Sequence, residues 1–167
     1  MHELDTVSVK GFKSIASIEN LQLGAINVVI GPNGSGKSNF IGVFSFLHAI
    51  RNGRLQDYVI KAGGADKVLH FGAKVTKTLE IGISFQNERN QYSIHLEPTD
   101  ADEIVPNLEV VYFWDKRHPR RYNEAIAQSA RRLASARGKR HRLRVTCAST
   151  LTGGVCITFT IPAPRHR

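Results

Sequence analysis

The chain has 167 residues, 41% hydrophobic and 22% charged, which suits about one domain with its own core, and no apolar run reaches the length of a membrane span. Cys147 and Cys156 are its only cysteines and its seven histidines are scattered singly, which excludes a disulfide framework and a zinc-type Cys/His site. The net charge of +9 is unevenly divided: residues 1–115 carry 10 Lys+Arg against 13 Asp+Glu, whereas residues 116–167 carry 13 Lys+Arg against Glu124 alone.

From the N-terminus, Met1-His2-Glu3-Leu4-Asp5 has neither the basic start nor the apolar stretch of a signal peptide, and a cytoplasmic protein is expected. Residues 4–9 alternate in part and predict a first strand. Gly11-Phe12-Lys13-Ser14-Ile15 is a turn, and residues 16–23 predict a second strand. Residues 25–30, Ala-Ile-Asn-Val-Val-Ile, have the β-branched apolar character of a buried strand. Gly31-Pro32-Asn33-Gly34-Ser35-Gly36-Lys37-Ser38 then matches G-x-x-x-x-G-K-S/T, the pattern of a loop that wraps nucleotide phosphates. Phe40, Val43, Phe44, Leu47 and Ile50 follow at helical spacing and predict an amphipathic helix over about 37–51.

Strand, glycine loop and helix in that order give the motif a mechanism. A helix N-terminus has unpaired N–H groups and a partial positive charge, and a phosphate satisfies both. Gly34 and Gly36 permit backbone conformations that let successive N–H groups face one hollow. Lys37 is expected to reach the β- and γ-phosphates of a nucleotide and stabilise their charge, and the Ser38 hydroxyl to ligate Mg²⁺.

Beyond Asn52-Gly53, residues 55–60 predict a short helix ended by Gly63-Gly64. Leu79, Ile81, Ile83 and Phe85 alternate, as do Tyr92, Ile94 and Leu96, so the two runs form an antiparallel hairpin across residues 87–90. An acidic linker spans 98–103, a strand is predicted over 108–114, and the alanine-rich residues 122–136 are compatible with a helix. Residues 138–144 are almost entirely basic.

The glycine loop with Asn39 after it and Gly11-Phe12-Lys13-Ser14 before it resembles the N-terminal nucleotide-binding segment of the SMC/RecF/RecN group of ABC-type P-loop ATPases, over about residues 3–115. The resemblance implies an α/β half-domain with an antiparallel β-subdomain. It also implies ATP and Mg²⁺ as ligands, head-to-tail pairing as a homodimer or with a partner ATPase lobe, and a role on DNA in repair, recombination or anti-phage defence. Residue by residue, it places Gly31 through Asn39 at the nucleotide, with Lys13 near the phosphates. Gln86 stands where the family's water- and magnesium-sensing glutamine is sought, and also suits a hairpin turn. Asp115 ends an apolar strand, as the family's metal-binding aspartate does. Lys116 follows it where the family has a glutamate base, and no Ser-Gly-Gly-type motif precedes it, so hydrolysis by this chain alone is expected to be poor.

Two readings fit residues 116–167. As native sequence, the arginines from Arg131 to Arg144 suit a phosphate backbone, and DNA becomes a partner through a basic arm without aromatic stacking platforms. As an out-of-frame product, the Arg-, Ala- and Pro-rich tail is what a shifted GC-rich gene yields. Residues 154–164 admit codons whose third-base register reads Arg-Leu-Tyr-His-Phe-His-Asp-Thr-Ser-Thr. The gene's nucleotide sequence separates the two. The alternatives to a truncated ATPase lobe are a nucleic-acid-binding fragment driven by the tail and a small P-loop phosphotransferase. The antiparallel hairpin argues against the second, which requires a parallel α/β continuation.

Overall fold

A computed structural model describes residues 4–114, 116–117 and 122–128. Its centre is an antiparallel sheet built from β1 (Leu4–Phe12), β2 (Ile15–Gln22), β3 (Leu79–Phe85), β4 (Asn90–Pro98), β5 (Ile104–Phe113) and β6 (Tyr122–Gln128). The strand order is β2-β1-β3-β4-β5-β6. Three helices, α1 (Lys37–Arg51), α2 (Leu55–Ala62) and α3 (Ala65–Val68), lie in sequence between β2 and β3.

The alternation seen in the sequence becomes rows of apolar side chains across the sheet. Val9, Ile81 and Ile94 are register partners in one row, and Val7, Ile83, Tyr92 and Val111 in another. Leu79 pairs with Leu96 in a third. These residues are buried in one cluster with Phe40, Val43, Phe46 and Leu47 of α1 and Leu55 and Val59 of α2. Cross-strand apolar pairs of this kind fix the register, since a slip of one residue would turn every such side chain to the other face.

Tyr92 brings a polar atom into this core. Its hydroxyl donates to Glu109 Oε1 over 2.9 Å. Burial, with the neighbouring carboxylate adding to it, pushes the phenol well above its ordinary range. The folded state therefore holds the Tyr92 proton more tightly than the unfolded chain does. Its stabilising contribution is complete below about pH 10, the ordinary phenol value, and falls as pH rises above it. Urea midpoints measured between pH 8 and 11 should decline for the wild-type chain and decline less for Tyr92→Phe. Equal slopes would exclude Tyr92 as the cause.

Three expectations are corrected. Residues 25–30 form no strand. Ile26, Val28, Val29 and Ile30 are 87%, 77%, 46% and 88% exposed. The reason is topological: β2 is the edge of the sheet and pairs only with β1, so no described strand lies alongside 25–30 to complete a ladder. The segment is instead closed locally, Gly24 N–H donating to Asn27 Oδ1 and Asn27 Nδ2 donating to Gly24 O. Second, Tyr122–Gln128 is the edge strand β6, paired with β5, and not the start of a helix. Pairing to an open sheet edge overrides the helix preference of alanine. Third, β5 begins at Ile104, so the acidic stretch is a tight turn in which Asp102 N–H donates to Thr99 O. The rest of the chain after residue 128, including the basic residues 131–144, and Asp115 lie outside the described residues.

Candidate phosphate-binding loop

The glycine loop is exposed from Gly31 to Ser35 and ends at the first residues of α1. Gly34 and Gly36 have φ of 85° and 92°, the left-handed region that favours glycine. Gly36 is the N-cap of α1 and provides no side-chain cap. Its carbonyl accepts the first helical bond, from Phe40 N–H at 2.9 Å. The first turn of α1 contains no acidic residue. The helix thus presents its N-terminal amides to the loop without a carboxylate competing for them.

Lys37 folds back over the loop. Its Nζ donates to Gly31 O and to Pro32 O, each at 2.7 Å. An ammonium has three donors, so the two bonds orient it and leave one proton for an oxyanion. Ser35 adds to the closure: its Oγ lies 2.8 Å from where a Cβ on Gly31 would stand. Ser38 is exposed in the same first turn. Its hydroxyl is a suitable single protein ligand for Mg²⁺, which retains water and phosphate oxygens in its remaining positions. Among the described residues, no group of three or more His, Cys, Asp or Glu side chains forms a metal cluster.

The other sequence candidates are distributed as follows. Asn39 is joined to the loop region through its side chain, Nδ2 donating to Ser14 Oγ at 2.7 Å. The Lys13 ammonium sits 5.5 Å from the centroid of the Phe12 ring and 5.6 Å from that of Tyr58, and the neighbouring Ser14 meets the loop at Gly36. Gln86 is not brought to the loop. It begins the β3–β4 turn at φ 56°, and its Oε1 accepts from Asn90 Nδ2. Because β3 runs antiparallel to β1, with Phe85 opposite Leu4, that turn lies at the far end of β1. At strand rise this is about 25 Å from the Lys13-Ser14 turn. Asp115 follows the end of β5 and lies outside the described residues. His70 is the neighbour that sequence reading missed: its Nδ1 donates to Lys13 O at 2.7 Å. No spacing signals it, since the two residues are 57 positions apart.

With this geometry in place, comparison with known proteins is decisive at the family level. Residues 26–143 match the family described as "AAA domain, putative AbiEii toxin, Type IV TA system". The chain belongs to that family. The matched range of this AAA-domain chain contains the whole glycine loop, all three helices and strands β3 to β6. Among curated proteins, it is 37% identical over 84 residues to the chromosome partition protein Smc of Mycolicibacterium paratuberculosis, covering 46% of this chain and 7% of that protein. It is 30% identical over 95 residues to the Smc of Clostridium kluyveri, covering 54% of this chain and 8% of the relative. It is also 31% identical over 109 residues to urease accessory protein 2 of Cryptococcus neoformans var. grubii, covering 61% and 8%. The AAA-domain chain therefore spans less than a tenth of the length of these relatives. No solved structure matches it. No helix among the described residues is long and apolar enough to cross a membrane.

Proposed function

We propose that this chain is the nucleotide-binding half of a P-loop ATPase of the SMC/RecF kind, and that it binds ATP with Mg²⁺ at residues 31–39. The observation that carries the proposal is the pair of left-handed glycines at the uncapped start of α1, with the Lys37 ammonium bonded back to the carbonyls of Gly31 and Pro32. Backbone amides and Lys37 hold the phosphates, and Ser38 holds the metal ion. When bound, magnesium neutralises part of the phosphate charge. The chain's own residues orient the phosphate tail.

The exposed residues 25–30 support a partner lobe. An apolar β-branched segment leading directly into the phosphate loop reaches its strand form when another lobe, or a second ATPase chain, supplies the missing neighbour. The complete machine then acts on DNA in repair, recombination or defence, as the resemblance implies. Calorimetric titration of the full chain with ATP and magnesium tests the binding claim. A saturable one-site isotherm, displaced by ADP, is the expected result. A titration without binding heat and without protection from thermal unfolding would refute the reading.

A further inference from the structure

The turn between β1 and β2 is held far more firmly than a two-residue hairpin loop requires. On one side it is bonded to the last residue of α3 and to the segment after it. Lys13 N–H donates to Val68 O at 2.8 Å, and His70 N–H donates to Gly11 O at 3.0 Å. His70 Nδ1 donates to Lys13 O at 2.7 Å, and Phe12 bridges Leu69. A carbonyl only accepts, so Nδ1 must carry the proton. His70 is itself anchored, its carbonyl accepting from the Thr76 hydroxyl. Lys13 is kept at φ 49°, a conformation that non-glycine residues seldom adopt. Backbone strain of this kind persists only where the surroundings over-determine it.

On its other side the same turn touches the phosphate loop. Ser14 Oγ accepts from Asn39 Nδ2 in the first turn of α1. It also stands 2.9 Å from where a Cβ on Gly36 would be. A single peptide, Lys13-Ser14, therefore has His70 on its carbonyl and Gly36 of the loop against the following side chain. The segment that bears His70 leads on to β3, in the middle of the sheet.

We propose that Ser14 and His70 are positioning residues: His70 fixes the Lys13-Ser14 peptide, and Ser14 fixes Asn39 and Gly36, so that the amides of the loop are set for a nucleotide before it arrives. The proposal rests on the reading of residues 31–39 as a nucleotide site. Pre-setting the loop spares the ligand the entropy of ordering it.

The test is a set of full-chain variants titrated with ATP and magnesium. Ser14→Ala and His70→Leu should each weaken binding about fivefold to tenfold, the effect of one lost hydrogen bond. His70→Asn, whose amide places a donor near the position of Nδ1, should retain affinity. In the double variant, His70→Leu should add nothing to the loss from Ser14→Ala, because the Ser14 hydroxyl through which His70 acts on the loop has been removed. Additive losses, or affinities equal to wild type, would overturn the proposal while leaving the nucleotide site intact. Ser14 is exposed, so if His70→Leu does not fold, Ser14→Ala decides alone and unchanged affinity overturns the proposal. A wild-type chain that binds no ATP would remove the site reading and this inference together.

Discussion

Replacing Lys37 with alanine is expected to abolish measurable ATP binding while leaving the fold intact. The side chain contributes a charge and two directed bonds. Its ammonium spans Gly31 O and Pro32 O, which ties the start of the loop to the start of the helix as well as placing a cation there. A hydrogen bond to a charged group contributes about 1.5–3 kcal/mol, so loss of the phosphate contact alone lowers affinity by about ten- to a hundredfold. Loss of the two carbonyl bonds frees the loop and adds to this. The bonds are at an exposed site, so the urea midpoint should move by less than about 1 kcal/mol equivalent. Calorimetry together with urea unfolding separates the two effects. Undiminished ATP affinity in Lys37→Ala would mean that nucleotide, if bound, is bound elsewhere.

The largest stability effect is expected at Phe46. This residue is wholly buried on α1. Its ring centroid lies 5.3 Å from that of Phe12 at the end of β1 and 5.1 Å from that of Tyr58 on α2. It thus joins sheet, first helix and second helix at one point. Phe46→Ala should cost about 3–5 kcal/mol, the lost transfer energy plus the cavity left behind. Domains of this size are stable by about 5–15 kcal/mol, so a large fraction of the total would go. The check is a urea curve with a much lower midpoint and an unchanged slope. A loss below about 1 kcal/mol would show that neighbouring rings close the gap and that the junction is not rigid.

Some of this was legible in the chain and some was not, for reasons that differ by residue. The glycine loop was legible because its demands are local: Gly34 and Gly36 do adopt left-handed φ, and the helix starts at Lys37. The β3–β4 hairpin was legible because period-two alternation survives any context that buries one face. The α1 face was read as Phe40, Val43, Phe44, Leu47 and Ile50. The structure buries Phe40, Val43 and Leu47 and turns Phe46 fully inward, with Phe44 and Ile50 only partly covered. The choice among these depends on where Phe12 and Tyr58 lie, which helical spacing does not encode. Residues 25–30 looked like a strand because their side chains suit one, but a strand also requires a neighbour. Alanines at 125 and 127 suggested a helix, and pairing to Val110 and Glu109 decided otherwise. His70 was invisible because its role is set by a contact between distant parts of the chain.

The order of the strands also bears on how the site comes into being. Strands β3, β4 and β5 are joined by the short stretches 86–89 and 99–103, so their pairings close small loops. β1 and β3 become neighbours only when the whole of residues 13–78 is looped out between them, at a greater cost in chain entropy. The glycine motif lies inside that long loop, and so do all three helices. Its residues therefore sit within the segment closed by the one pairing in the sheet that is most remote in sequence. A peptide containing only the motif and its helix would carry the same letters without that closure, and without the Ser14 contact to Asn39.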